Sequence, residues 1–398
     1  MNKINKKYAI LLCLSWFSMI HSLSAQMGIQ SILSEIEKNN PTLSVLKSTV
    51  ESHKNENNLG KVLSDPEVNL DYLWGSPKPV GNRLEWSIQQ AFDVPTLFGM
   101  KGRLSEAKNE ALDFWYKNQR IQVLLEAKKC CLEMVSFNAM LRVRKEMFEK
   151  SKMLFEAYQS KLDEGVSTQM ELNNIQLSMA SMEGALKALE VERQACLNKL
   201  MMLNGGAPVV VEADEFPMYK LMSDFETWYE MVIQKHPLIA YINQEVEVGK
   251  KQLSVDKAQN LPTISAGYIS ETVIGAQSRG VTMGVSFPVW DNKNRLKKSR
   301  SDLKLAELRR QESLNQLRGE LKMMFDKTLG LQSVAATYRF SIKQNNQLEL
   351  IQKALSAGEI SLLEYIEENM LYCNAVDMAL QAEREFQLSL AELNSMNL

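Results

Sequence analysis

Few residues in this chain have the types and spacing to do chemistry. Beyond an N-terminal segment considered below, there are two histidines, His53 and His236, and neither has a second ligand at helical spacing. The cysteines Cys130, Cys131, Cys196 and Cys373 fall in helical stretches, match no metal-binding spacing and read as small buried hydrophobes. No motif brings a nucleophile, a base and an orienting group together, so no catalytic residue, cofactor or metal site is expected. The 22 methionines offer soft thioethers, but residues such as Met134 and Met324 sit at core spacings and are better explained by packing than by a metal relay. The carboxylates with a recurring context are Glu171, Glu364 and Glu367, and their chemistry is electrostatic: negative charge beside a turn.

That context occurs twice. FEAYQSKLDEGVSTQMELNN starts at Phe155, and LELIQKALSAGEISLLEYIE starts at Leu348. In each copy a leucine (Leu162, Leu355) precedes a glycine (Gly165, Gly358) by three residues. A hydroxyl residue (Thr168, Ser361) follows the glycine by three and a glutamate (Glu171, Glu364) by six. Glycine permits the left-handed conformation that ends a helix, and Thr/Ser-x-x-Glu is a capping box that begins another. The spacing predicts two helical hairpins. Capping alone accounts for Glu171 and Glu364. Glu367 has no cap to make and shares a helical face with Glu364.

The elements that position these turns form a tandem duplication. Asn40-Pro41 corresponds to His236-Pro237, Asp65-Pro66 to Leu261-Pro262, and Lys101-Gly-Arg103-Leu104 to Lys293-Asn-Arg295-Leu296. Period-two runs (Val68, Leu70, Tyr72, Trp74; Leu84, Trp86, Ile88) separated by turn residues 75–81 predict a hairpin, as do Ile264, Ala266, Tyr268 and Val281, Met283, Val285, Phe287. Long helices are predicted from about 101 to 162, with Ala127, Met134, Leu141, Phe148, Phe155 and Leu162 at every seventh position, and from 295 to 355, with the seam Leu314/Leu317, Leu321/Met324, Leu331, Ala335/Tyr338 and Ile342. Shorter helices are predicted over 42–64, 168–203, 238–260 and 361–396, and two short ones match one long one in length. A short irregular or stranded patch, 207–217, and a small helix, 228–234, lie between the halves.

Composition adds bounds. A net charge of -2 over 398 residues gives no electrostatic reason to bind nucleic acid. Lys3, Lys6 and Lys7 before the apolar run Tyr8–Ile20, then Ser24-Ala25, predict a secretory signal peptide over 1–25. The remaining segmentation is a first repeat, 26–203, with its hairpin at 66–92; an equatorial connector, 204–235; and a second repeat, 236–398, with its hairpin at 262–290. No later stretch can span a bilayer as a helix, so an integral protein must span as a closed barrel. Four strands cannot close one, whereas three copies supply twelve. A soluble periplasmic coiled-coil scaffold with a small capping sheet is the alternative.

With these features in order, the chain resembles the TolC family of outer-membrane efflux proteins. The stretch Asp65–Arg103, with DPEVNLDY and EWSIQQAFDVPTLFGMKGR, is most similar to its heavy-metal efflux branch. The resemblance implies an α+β, mostly α fold: tandem-duplicated helical hairpins forming an α-barrel, and four strands per chain in a trimeric 12-stranded transmembrane β-barrel. It implies a passive homotrimeric conduit in the outer membrane of a Gram-negative cell, with a periplasmic helical domain. Its partners would be outer-membrane lipid, a periplasmic adaptor and an inner-membrane pump of the RND type. The implied cargo is metal cations, with drugs or proteins as the alternative. Carried over by position, Leu162, Gly165, Val166, Ser167 and Thr168, with Leu355, Gly358, Glu359, Ile360 and Ser361, become the adaptor-docking tip. Glu171, Glu364 and Glu367 become the carboxylates of the closed periplasmic end. The chain departs from the pattern in having glutamates for aspartates there, and Leu355 where a gating tyrosine stands.

Overall fold

In the computed structural model, residues 28–62, 64–76, 81–92, 95–217, 224–287, 292–344 and 347–398 are described. The signal segment 1–25, residues 77–80 of the first hairpin's connector and the last residues of the second predicted hairpin, 288–290, lie outside them. The elements are α1 (28–39), α2 (Pro41–Leu59), β1 (Glu67–Leu73), β2 (Arg83–Phe92), α3 (Pro95–Asp163), α4 (Gln169–Leu203), α5 (Phe225–Ile233), α6 (Pro237–Ala258), β3 (Thr263–Val273), β4 (Ala276–Ser286), α7 (Asn292–Gln344), α8 (Gln347–Ala357) and α9 (Leu362–Leu393). Among the described residues no helix is long and apolar enough to cross a membrane.

The chain forms two compact units, each drawing matching pieces from both sequence repeats. One comprises residues up to Ser44, Arg120–Val232 and Gly319–Leu398; the other comprises Val45–Gln119 and Ile233–Arg318. In the first, the core gathers Ile29, Leu33 and Ile36 of α1, Ala127, Cys131, Met134 and Val135 of α3, Leu200 and Leu203 of α4, and Val209 and Val211. The seven-residue stripe of α3 is buried at Ala127, Met134 and Leu141 and half-buried at Phe148, Phe155 and Leu162. Residues 207–217 carry no strand: Val209 and Val211 face the core while Val210 is exposed. Asn40 begins α2 by accepting from the Leu43 amide (2.9 Å) and donates to the Leu203 carbonyl (2.7 Å). Its counterpart His236 begins α6 by accepting from Leu238 (3.2 Å), so the duplicated X-Pro sites are helix starts in both copies.

In the second unit the strands form one antiparallel sheet in the order β1-β2-β3-β4. Leu97 and Leu104 of α3 pack on Val255 and Ala258 of α6. Helix α3 starts at Pro95, six residues before the predicted start, with Gly99 and Gly102 inside it. Proline suits the first helical position because the amide it lacks has no intrahelical acceptor there. Residues 345–346, within the second long helix predicted over 295–355, lie outside the described residues; α7 and α8 flank them.

Candidate functional site

Both glycine turns adopt the geometry their spacing predicts. Gly165 and Gly358 have φ of +72° and +74°. At the first, the Val166 amide donates to the Lys161 carbonyl (2.8 Å) and the Gly165 amide to that of Leu162 (2.9 Å). At the second, Glu359 donates to Ala354 (2.9 Å) and Gly358 to Leu355 (3.1 Å). These paired bonds satisfy the last carbonyls of α3 and α8 in a Schellman closure, which requires the left-handed residue that glycine supplies.

The next helices open with complete capping boxes. The Glu171 amide donates to Thr168 Oγ1 (3.2 Å), while Glu171 Oε2 accepts from the Thr168 amide (2.8 Å), Thr168 Oγ1 (2.9 Å) and Ser167 Oγ (3.0 Å). In the second copy the Glu364 amide donates to Ser361 Oγ (3.2 Å), and Glu364 Oε2 accepts from the Ser361 amide (2.7 Å). The Thr168 backbone bond, followed by the hydroxyl bonds, holds the Glu171 carboxyl below its ordinary range; the Ser361 amide does the same for Glu364. Glu367 is exposed, and among the described residues it has no ion-pair partner.

A carboxylate whose folded pKa is depressed stabilises the fold above its unfolded pKa, and that contribution is lost as pH falls through the lower folded value. Both turns should therefore stay capped through mildly acidic pH and open only below the ordinary glutamate range. Amide exchange at Glu171 and Glu364 followed against pH checks this; protection lost near neutrality contradicts it. Thr168→Ala or Ser361→Ala should each cost ~1 kcal/mol, read as faster exchange confined to the first turn of α4 or α9.

A small apolar cluster holds the starts of α4 and α9 together. Tyr158, Leu172, Ile175 and Leu362 are buried in it, with Phe155, Leu162 and Ile366 packed against them. Val166 (73% exposed), Met170 (74%) and Leu363 (54%) remain open. The sequence reading included Val166 but passed over Met170 and Leu363. They occupy the same place in the two boxes, one residue before the cap glutamate, and that correspondence was the available signal.

The sheet has two unlike faces. Val68, Ile88, Tyr268 and Val281 lie in one cross-strand row, and Phe92, Ile264 and Val285 in another, all exposed. On the opposite face Asp71, Glu85, Glu271 and Ser278 share a row, and Arg83 pairs with Glu85 (2.5 Å) and Glu271 (3.0 Å). Two of the three carboxylates, Glu85 and Glu271, thus share one guanidinium. The row is invisible in the sequence because only strand register assembles it.

Cys130 and Cys131 are buried on α3 and Cys196 on α4. Burial pushes the Cys131 thiol up to about 12, where it stays protonated and inert. Cys196 Sγ lies 3.4 Å from the Cys130 carbonyl and 3.8 Å from Glu133 Oε2, a proximity that cysteine spacing along the chain does not reveal.

No protein-family model matches the sequence, and no curated protein does. Solved structures match closely in fold. The open-state MtrE outer-membrane channel of Neisseria gonorrhoeae aligns at a TM-score of 0.75 and 12% identity, covering 93% of this chain and 88% of that one. VceC, an outer-membrane protein of Vibrio cholerae, aligns at 0.71 and 13%, covering 92% and 95%. CusC, described as forming a transmembrane channel, aligns at 0.70 and 14%, covering 93% and 92%. With long duplicated helical hairpins, four antiparallel strands and near-complete coverage of these structures, the chain has the fold of the TolC-type outer-membrane channels.

Proposed function

We propose that this chain is one subunit of a homotrimeric outer-membrane channel, a passive conduit in a tripartite efflux system of a Gram-negative cell. The observation that carries the reading is the sheet. It exposes a largely apolar face, interrupted by Ser270 and Arg279 in the row of Leu70 and Trp86, has a polar acidic opposite face, and ends in strands β1 and β4 that have no second partner in the sheet order. In water that face and those edges would invite aggregation. In a bilayer they are what a barrel stave needs, and three copies supply enough strands to close. A soluble scaffold would be expected to bury the apolar face.

The helical unit then lines the periplasmic passage, and the tip turns with exposed Val166, Met170 and Leu363 meet an adaptor that links to an inner-membrane pump. Glu364 and Glu367, repeated three times, form a ring that attracts cations and repels anions. The acidic row of the sheet has the same sign, which favours metal cations as cargo over drugs or proteins.

Two experiments test this. The protein should fractionate with outer membranes, require detergent and run as a heat-modifiable trimer that conducts in planar lipid films. Salt-extractable monomers without conductance would reject the channel. Glu364→Gln with Glu367→Gln should lower the cation preference of single channels while leaving trimer yield unchanged; an unaltered reversal potential would remove these residues from the pore.

A further inference from the structure

Cys130 and Glu133 are three residues apart on α3, and so share a face of that helix. Cys196 comes from α4, sixty-six positions further along the chain. The two sulfur atoms and a Glu133 carboxylate oxygen all lie within 4.8 Å of one another. Ligands around a tetrahedral zinc ion, at about 2.3 Å for sulfur and about 2.0–2.2 Å for oxygen, stand roughly 3.5–4 Å apart. Rotamer adjustments on the order of an ångström would bring these three atoms onto one ion.

The surroundings favour occupancy. Cys130 is 1% and Cys196 8% exposed, and both belong to the core that joins α1, α3 and α4. The Glu133 carboxylate is half-buried beside them; among the described residues its polar contact is the Cys196 sulfur at 3.8 Å, and no lysine or arginine pairs with it. Lys199, also on α4, is engaged by Glu126 at 3.0 Å. Lys199 also attracts Glu133 from beyond ion-pair distance, and a divalent ion held directly by the two sulfurs and the carboxylate would supply the positive charge at closer range. Thiolate pairs select zinc and similar borderline-soft ions over magnesium or calcium, which demand oxygen ligands.

We propose that Cys130, Glu133 and Cys196 form a binding site for a borderline-soft divalent cation of the zinc class, with two thiolates and one carboxylate as ligands and water in the fourth position. On binding, the two thiol protons leave to solvent and two sulfur–metal bonds form; nothing is oxidised. The bound ion ties α3 to α4 within one compact unit, away from the tip turns in sequence, so it is a resident ion rather than cargo.

The test uses the full-length chain, purified in detergent with reductant and stripped of metal, and cobalt(II) as a spectroscopic stand-in. Cobalt should bind in a one-to-one ratio with sulfur-to-metal charge-transfer absorption of two thiolates, and zinc should displace it. Cys131→Ser and Cys373→Ser should keep the signal. Cys130→Ser and Cys196→Ser should abolish it, and Glu133→Gln should weaken affinity by roughly the 10–100-fold seen when even an outer partner of a metal site is lost. Wild-type protein that shows no sulfur–cobalt absorption overturns the proposal whatever the variants do, as does a Cys130–Cys196 disulfide in chain isolated without reductant. A signal that survives Cys130→Ser also overturns it. The measurement needs neither a membrane nor a trimer, so its outcome is independent of the channel reading.

Discussion

Val281→Arg is expected to eliminate the heat-modifiable trimer from the outer-membrane fraction, while Ser278→Arg leaves it in place. Both residues are on β4 and both are exposed, but their side chains leave opposite faces of the sheet. Val281, 80% exposed, sits in the apolar row with Val68, Ile88 and Tyr268. Ser278 sits in the row with Asp71, Glu85 and Glu271, where a guanidinium finds carboxylates. If the apolar face meets lipid, an arginine near the bilayer midplane costs on the order of 2–4 kcal/mol per subunit, and symmetry imposes it three times. If the face meets water, an exposed valine-to-arginine change is worth within about 0.5 kcal/mol and should improve solubility. The two surroundings therefore predict opposite results from one substitution. In the channel, Ser278→Arg should assemble normally and lower cation preference, because it adds positive charge to the acidic row. Equal yields from both variants would mean the apolar face does not contact lipid.

What could be read from the sequence was whatever depends on neighbours within one or two turns. The capping boxes at Thr168–Glu171 and Ser361–Glu364 and the left-handed glycines are set by i, i+3 chemistry, and their bonds are formed as the spacing implies. The seam at Met134 and Leu321 follows from helical periodicity, as do the four strands from alternation. What could not be read depends on register between distant elements. The Asp71–Glu85–Glu271 row needs three strands to be aligned, and the Cys130–Glu133–Cys196 group needs two helices at a particular rotation. The early start of α3 was hidden for a different reason: Pro95 is ordinarily a breaker and is harmless only in a first turn whose amides are unpaired in any case, while Gly99, just past that turn, weakens the helix without ending it.

Phe325 is the clearest residue of the second kind, and Phe325→Ala is expected to be among the most destabilising single changes in the helical unit. The seam read along α7 ran through Leu321 and Met324. Phe325, beside Met324 and one turn after Leu321, is instead the largest fully buried side chain among the described residues, at 1% exposure. It is buried because α5 packs there: the Phe325 ring lies 5.5 Å from that of Phe225 and 5.4 Å from that of Trp228, and the Lys322 ammonium sits 5.1 Å from the Phe225 ring centre. Removing the ring deletes its burial and leaves a cavity against two aromatic faces, a loss of ~3–5 kcal/mol, with the aromatic pairing adding about 0.5–1.5 kcal/mol per contact. Phe340, on the same helix but 64% exposed, is the control, and its replacement by alanine should change stability by no more than about 0.5 kcal/mol. Chemical unfolding of the detergent-solubilised protein measures both. Limited proteolysis should show new cleavage in α5, because the short helix owes its place to this cluster. Equal midpoints for the two variants would mean that α5 is held by something other than these rings, and the described contacts between α5 and α7 would then carry little of the stability assigned to them.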